Sequence, residues 1–498
     1  MSFEEPIVVQ QPESRVTKNA IIYSLGQIIS WCITFLTISI IPRYLGEGAL
    51  GQAAIAGTAV ATVAAAVGFS IERYLIAEIA RAGDGAERII RAVMGLRLVS
   101  APLIILGSCI ILGRTNVYPL IWILGSIHMS IFILNSIGDP LRSTLAGWEN
   151  AKTVTLIDLM ATFGSLLAIP LMFFGIIGVT SVGVIISVSV LAVRTNQVSK
   201  RISLRPTFDL PLWKTLIKGA AGFYVVDLVV ALYGFSSIFV LRHFSDEPTV
   251  GVFGLAIRLQ GTFLFLPTAL GFALLPSLAR MAEVGGDEFK DMQRRVMGIM
   301  IVMGLPVGVM VFVLAESFTH FLYGYNKFQG LPQALQACAF NLIPLYISSM
   351  LYQFLVAQKK NAIWSIFLLV TVGINYVCAI FFVPYTVRVY GNGAIGAILA
   401  LVVAEVCTTI MAIIVLKNIP FNKEIILRVG RAILATFLMF LVLWPLRKMF
   451  ILIPFTLGGT VFVLAAWKLH VLGKEEQQKL ITIISKGIRR FRKQAAAS

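Results

Sequence analysis

The sequence predicts an all-α, polytopic membrane protein that crosses the bilayer about fourteen times. Three observations predict this. Apolar blocks of roughly 18–24 residues recur along the whole chain of 498 residues, the length a helix needs to span about 30 Å of hydrocarbon. Charged residues make up only 13% of the chain, against about 25% in a typical soluble domain. Lysine and arginine are concentrated in every second link between blocks.

The blocks fall near 20–41, 50–71, 93–113, 117–138, 154–173, 176–193, 219–241, 250–273, 296–315, 333–356, 362–383, 394–416, 430–446 and 449–467. A membrane barrel would show alternating strands of about ten residues, so helices are expected. Placing the links on alternate sides puts 33 basic residues on one face and 7 on the other, with Arg258 left inside a block. The positive-inside rule makes the basic face cytoplasmic. Both chain ends are then expected in the cytoplasm, with the protein in the cell (cytoplasmic or inner) membrane.

The formal net charge of +17 fits this topology and anionic lipid headgroups. It does not indicate nucleic acid, because no recognition module accompanies it. Cys32, Cys109, Cys338, Cys378 and Cys407 lie in or beside apolar blocks without CxxC spacing, as buried packing residues do. No apolar core of a cleavable signal precedes Ala20. The four histidines are scattered, and no phosphate-cradling glycine loop is present. Neither a metal centre nor another cofactor is expected, and the pattern points away from an enzyme.

An internal repeat organises the first twelve blocks. Pro42-Arg43-Tyr44-Leu45-Gly46-Glu47 with Gly51 matches Leu241-Arg242-His243-Phe244-Ser245-Asp246 with Gly251. Ile79-Ala80-Arg81 matches Leu278-Ala279-Arg280, Val93-Met94-Gly95 matches Val296-Met297-Gly298, Pro102 matches Pro306, and Glu149-Asn150-Ala151 matches Lys360-Asn361-Ala362. The offset drifts only from about 199 to 211. Six helices is an even number, so the copies are parallel, related by an axis along the membrane normal. The expected divisions are a cytoplasmic tail at 1–18, an N-lobe at 19–205, a C-lobe at 206–418, an additional helix pair at 419–467 and a cytoplasmic tail at 468–498. In that tail, 479–493 reads as a basic amphipathic helix suited to an anionic leaflet.

Two parallel lobes imply alternating access around a central site. Charges inside the blocks mark the candidates, since each costs roughly 2.5–3.5 kcal/mol on insertion scales. Arg258 could bind phosphate or pyrophosphate through its fork of N–H donors, with Gln260 beside it. Asp227 could carry a proton or balance an arginine, and Glu405 sits mid-block. Structural ion pairs inside a lobe are the competing account. Asp139, Asp158, Glu72 and Arg73 read as interface anchors. Arg43 and Arg242 end equivalent helices at the outer mouth, where they could gate by pairing with Glu47, Asp246 or Glu247; exposed salt bridges are the plainer alternative.

The opening run Asn19 to Gln27, Arg43-Tyr44-Leu45-Gly46 with Gly51, Leu275-Pro276 and Leu355-Val356-Ala357-Gln358-Lys359-Lys360-Asn361 resemble the multidrug/oligosaccharidyl-lipid/polysaccharide (MOP) transporter superfamily. The likeness is nearest to its polysaccharide-transporter branch, which includes O-antigen flippases, and covers about 15–418. The resemblance implies a V-shaped pair of helix bundles around a polar cavity. It further implies a flippase that moves lipid-linked oligosaccharide of the polyprenyl-pyrophosphate type, for surface polysaccharide biosynthesis. H+ or Na+ as coupling ion, and glycan polymerases as partners, would follow. An ion-coupled multidrug/cation antiporter of the same superfamily is the alternative. A membrane glycosyltransferase or polymerase is a third reading, disfavoured because no long outer loop with carboxylates is present. This chain departs from the pattern in showing few cavity charges. The added helix pair matches peptidoglycan-precursor flippases in count.

Overall fold

The computed structural model describes residues 13–82, 85–114, 118–148, 150–284, 286–358, 360–416 and 423–471. The amphipathic segment expected at 479–493 and most of the N-terminal tail lie outside the described residues. The helices are α1 (Glu13–Gly68), α2 (Ile71–Ala82), α3 (Ala86–Arg114), α4 (Pro119–Gly147), α5 (Ala151–Gly164), α6 (Ala168–Leu171), α7 (Gly175–Ser199) and α8 (Leu210–Phe244). They continue as α9 (Glu247–Phe263), α10 (Phe265–Val284), α11 (Asp287–Tyr323), α12 (Leu331–Ala357), α13 (Asn361–Tyr390), α14 (Gly393–Leu416), α15 (Lys423–Leu446) and α16 (Leu452–Lys468). The described residues contain no strand.

Ten helical stretches are long and apolar enough to cross a membrane, or eleven when α9 and α10, bent by 45°, count as one span. This is fewer than the fourteen apolar blocks, and the reason is geometric. The helix α1 carries two blocks and breaks at Gly46, whose φ is 78°. The stretch 151–199 also carries two, broken at Gly175 with φ 67°. Glycine takes such a φ without steric cost, so each chain reversal needs almost no loop. The last block forms α16, an apolar helix of only 17 residues.

Two other breaks are sealed from neighbouring helices. A carbonyl freed from its helical partner is costly in hydrocarbon. Where α1 gives way to α2, Phe69 and Ser70 take φ of 56° and 42°. There the Tyr224 hydroxyl donates to the Ala66 carbonyl at 2.8 Å, and the Arg97 guanidinium donates to the Gly68 carbonyl at 2.6 Å. At the bend between α9 and α10, the Tyr346 hydroxyl donates to the Phe263 carbonyl at 2.7 Å.

Two compact units result, Met1–Gly251 and Val252–Ser498, with the division inside α9. The core of the first gathers Ile71, Leu75, Ile90, Val93, Leu141 and Trp213. That of the second gathers Leu278, Met297, Leu342, Tyr346, Phe354 and Trp364. The division does not coincide with the repeat boundary at 205/206, because α8 packs within the first unit. Trp213 donates through Nε1 to the Ala92 carbonyl at 2.7 Å, and the Phe69 and Tyr224 rings meet at 5.6 Å. A repeat records sequence likeness, whereas a compact unit records which surfaces bury each other.

The repeat has a counterpart in hydrogen bonding. After α4, Trp148 N–H donates to Thr144 O at 3.0 Å and Asn150 N–H to Leu145 O at 3.1 Å. After α12, Gln358 donates to Phe354 at 3.1 Å and Lys360 to Leu355 at 2.8 Å. Each pair is displaced by 210 residues, so both copies turn with the same backbone bonds.

The charges in the spans of the first unit are paired. Arg97 is 1% exposed and bonds Glu72 as well as the Gly68 carbonyl. Arg194 bridges Asp139 at 3.0 Å and Asp158 at 3.4 Å, and Arg142 forks onto Asp158 at 2.7–3.2 Å. Asp139, Asp158 and Glu72 thus sit in ion pairs that tie helix ends together. Arg97→Leu should lower stability by about 3 kcal/mol, since it strands a half-buried carboxylate and an unpaired carbonyl. Thermal unfolding of the purified protein in detergent checks this, and an unchanged midpoint would contradict it.

The link between α7 and α8 is strapped to α3. Arg88 pairs with Asp209 at 2.9 Å, Arg91 Nε donates to the Arg205 carbonyl at 3.0 Å, and Thr207 N–H donates to the Arg91 carbonyl at 2.9 Å. Asp209 also caps α8 through Leu212 N–H at 3.1 Å. The Arg88 hydrogen bond, aided by the Leu212 N–H, holds the Asp209 carboxyl below its ordinary range. A depressed native value means the strap is fully present above the ordinary carboxylate range and weakens as pH falls below it. Hydrogen exchange in 200–209, corrected for intrinsic rates, should show protection that declines only at acidic pH. Asp209→Asn should lower that protection at neutral pH and flatten its pH dependence.

Candidate functional site

The candidate residues separate by helix face. On α9, Leu259 is fully buried and Gln260 is 4% exposed. Gln260 Nε2 donates to the Cys338 carbonyl on α12, a long contact of 3.4 Å. It therefore faces the interior of the second unit and serves as a tie between helices. Arg258, two residues earlier, lies on the opposite side of the helix and is exposed. Among the described residues it makes no hydrogen bond and no ion pair. Its guanidinium therefore keeps its full set of N–H donors.

Asp227 does not balance that arginine. It lies in the first unit, on α8, and pairs with Arg73 of α2 at 3.4 Å. The pair is partly exposed, so its contribution to stability is small.

Glu405 lies on α14, half-buried, and accepts a hydrogen bond from the Ser348 hydroxyl of α12. Its surroundings are polar for a membrane span. Thr371 and Thr408 join their hydroxyls across α13 and α14, Thr409 Oγ1 donates to the Glu405 carbonyl at 2.9 Å, and Asn375 is fully buried. Asn341 lies two turns before Ser348 on the same face of α12. Its Oδ1 is buried and finds no partner among the described residues. Among the described residues no basic side chain pairs with Glu405.

The outer-mouth candidates converge. Arg242, at the end of α8, pairs with Glu247 at 3.4 Å. Gln52 Nε2 donates to the other Glu247 oxygen at 2.6 Å. Arg43 is exposed and Glu47 is half-buried, and each makes further interactions. Asp246 caps α9 instead, accepting from Thr249 N–H at 3.1 Å. Gln52 and Ser348 are contributors that the sequence did not single out. Their partners lie 195 and 57 residues away, and no local pattern signals such pairs.

Solved structures share this architecture. A lipid II flippase, MurJ, in an inward closed conformation superposes with a TM-score of 0.71 at 15% identity, over 90% of this chain and 99% of that one. An inward-facing multidrug resistance MATE transporter of the MOP superfamily gives 0.67 at 14% identity, over 83% and 98%. The chain shares the fold of these transporters. A MOP superfamily transporter from Pyrococcus furiosus, whose description reports a binding pocket of reversed polarity, gives 0.57 at 15% identity, over 86% and 99%. No protein-family model and no curated relative matches the sequence. At these identities the likeness establishes the fold and leaves the cargo to the chemistry of the residues.

Proposed function

We propose that this protein is a flippase that carries a polyprenyl-pyrophosphate-linked oligosaccharide across the cytoplasmic membrane by alternating access, in surface glycan biosynthesis. The observation that carries this reading is Arg258, exposed on an apolar helix without a partner among the described residues. A guanidinium fork matches a phosphate or pyrophosphate in two parallel hydrogen bonds, and a desolvated site strengthens that contact. The match to the lipid II flippase spans a larger share of this chain than the MATE matches do, which agrees with a lipid-linked cargo. Both chain ends would face the cytoplasm, and a glycan polymerase would receive the product.

Glu405 supports a second reading, an ion-coupled antiporter for drugs or cations. Its carboxylate accepts from the Ser348 hydroxyl inside a membrane span, a setting in which proton or Na+ binding could drive exchange. The two readings share a fold and differ in which residue meets the cargo.

Arg258→Ala should reduce export of the lipid-linked glycan at least tenfold with unchanged protein in the membrane, and Arg258→Lys should recover only part, because an ammonium cannot supply the fork. Surface glycan at the wild-type level in Arg258→Ala would refute the assignment. Drug tolerance that rises on expression and vanishes in Glu405→Gln, with glycan export untouched, would favour the antiporter.

A further inference from the structure

The first unit contains a feature that the salt bridges at the outer mouth only flank. The helix α1 restarts at Glu47 after the break at Gly46. The helix α9 starts at Glu247, after the Asp246 cap. The two starts cross at Gly51 and Gly251. A β-carbon on Gly51 would overlap the Glu247 carbonyl and stand 3.1 Å from the Gly251 nitrogen. A β-carbon on Gly251 would overlap the Glu47 carbonyl and stand 2.9 Å from the Gly51 nitrogen. The contact is reciprocal, as a local two-fold axis requires. It joins the two copies of the sequence repeat, setting the matched Gly51 and Gly251 against each other and against the carbonyls of Glu247 and Glu47.

We infer that this glycine crossing is the outer gate itself, a backbone-to-backbone closure whose parting opens the outward-facing state. Close approach through glycine replaces interdigitated side chains with carbonyl and Cα–H contacts. Such a surface can part and re-form without repacking a core. Among the polar contacts there, Gln52 to Glu247 crosses between the two helix starts and must yield, while Arg242 to Glu247 holds the receiving carboxylate in place. The salt bridges expected to gate the mouth then act as fasteners on Glu247, and the glycines set the fit. Sidedness follows the charge alternation of the sequence, and the inference rests on the transporter reading but not on the identity of the cargo.

The neighbouring pair Gly48 and Pro248 supplies the test. A β-carbon at 48 lies 3.9 Å from Pro248 Cγ, so the two positions face each other in the closed state, and cysteines there can bridge once small backbone adjustments bring their β-carbons into disulfide range. The five native cysteines are replaced by serine, Gly48→Cys and Pro248→Cys are introduced, and membranes are oxidised with copper phenanthroline. Rapid cross-linking is expected. Adding Gly51→Leu or Gly251→Leu should lower the yield at least tenfold. Gly222→Leu, where a side chain meets open space, should leave it unchanged.

Oxidation of the double-cysteine protein should also stop export of the lipid-linked glycan, and reductant should restore it. A yield unaffected by Gly51→Leu, or export equally fast before and after complete cross-linking, would overturn the gate. The oxidised and reduced forms share one sequence, so a leucine variant that fails to fold does not remove the test. If the reduced protein exports no glycan, the flippase reading fails, and the cross-linking yields still decide the gate.

Discussion

Inside hydrocarbon every backbone N–H and C=O must find a partner within the protein, and this requirement shapes the chain more than any single contact. Continuous helices satisfy it without help. The places where helices stop are therefore the informative ones. Gly46 and Gly175 turn the chain sharply at φ of 78° and 67°, keeping the exposed backbone short. At the Phe69–Ser70 break and the bend after Phe263, the freed carbonyls take donors from other helices, namely Tyr224, Arg97 and Tyr346. Each such donor joins two helices and so determines where a break can occur.

The same economy governs charge. An uncompensated charge in a span is expensive, and the first unit neutralises its own. Arg97 meets Glu72, Arg194 and Arg142 meet Asp139 and Asp158, and Arg73 meets Asp227. Against that background Arg258 and Glu405 stand apart, one without a partner among the described residues and the other held by a hydroxyl. In the proposed reading, something from outside the chain completes these two. An anion suits the first and a proton or small cation the second, which is why a pyrophosphate-bearing cargo and a coupling ion are compatible within one protein.

Glycine serves the fixed turns of the fold and, at the proposed gate, the part that moves. At Gly46 and Gly175 it supplies a φ that other residues resist. At Gly51 and Gly251 the φ is ordinary, and what matters is the missing side chain, which lets two helix starts meet at the level of their backbones. Alternating access needs an interface that is complete when shut and cheap to part. A crossing of two glycines, fastened by a glutamine and an arginine on one carboxylate, has both properties.

The sequence by itself determined the helical class, the positions of the fourteen apolar blocks, the sidedness expected of their links and the twelve-block repeat. These follow from hydropathy, charge alternation and residue identity, which are local or periodic along the chain. It also singled out Arg258, Glu405, Arg43, Arg242 and Glu47, because a charge in an apolar run is visible without coordinates. Only the tertiary structure decided their surroundings. It turned Gln260 into the protein interior, gave Asp227 to Arg73, joined Glu405 to Ser348, placed α8 in the first unit, and brought Gly51 against Gly251. Those outcomes depend on which helices lie side by side and on which face each presents, and residues separated by 57 to 195 positions leave no periodic trace of their meeting in the sequence.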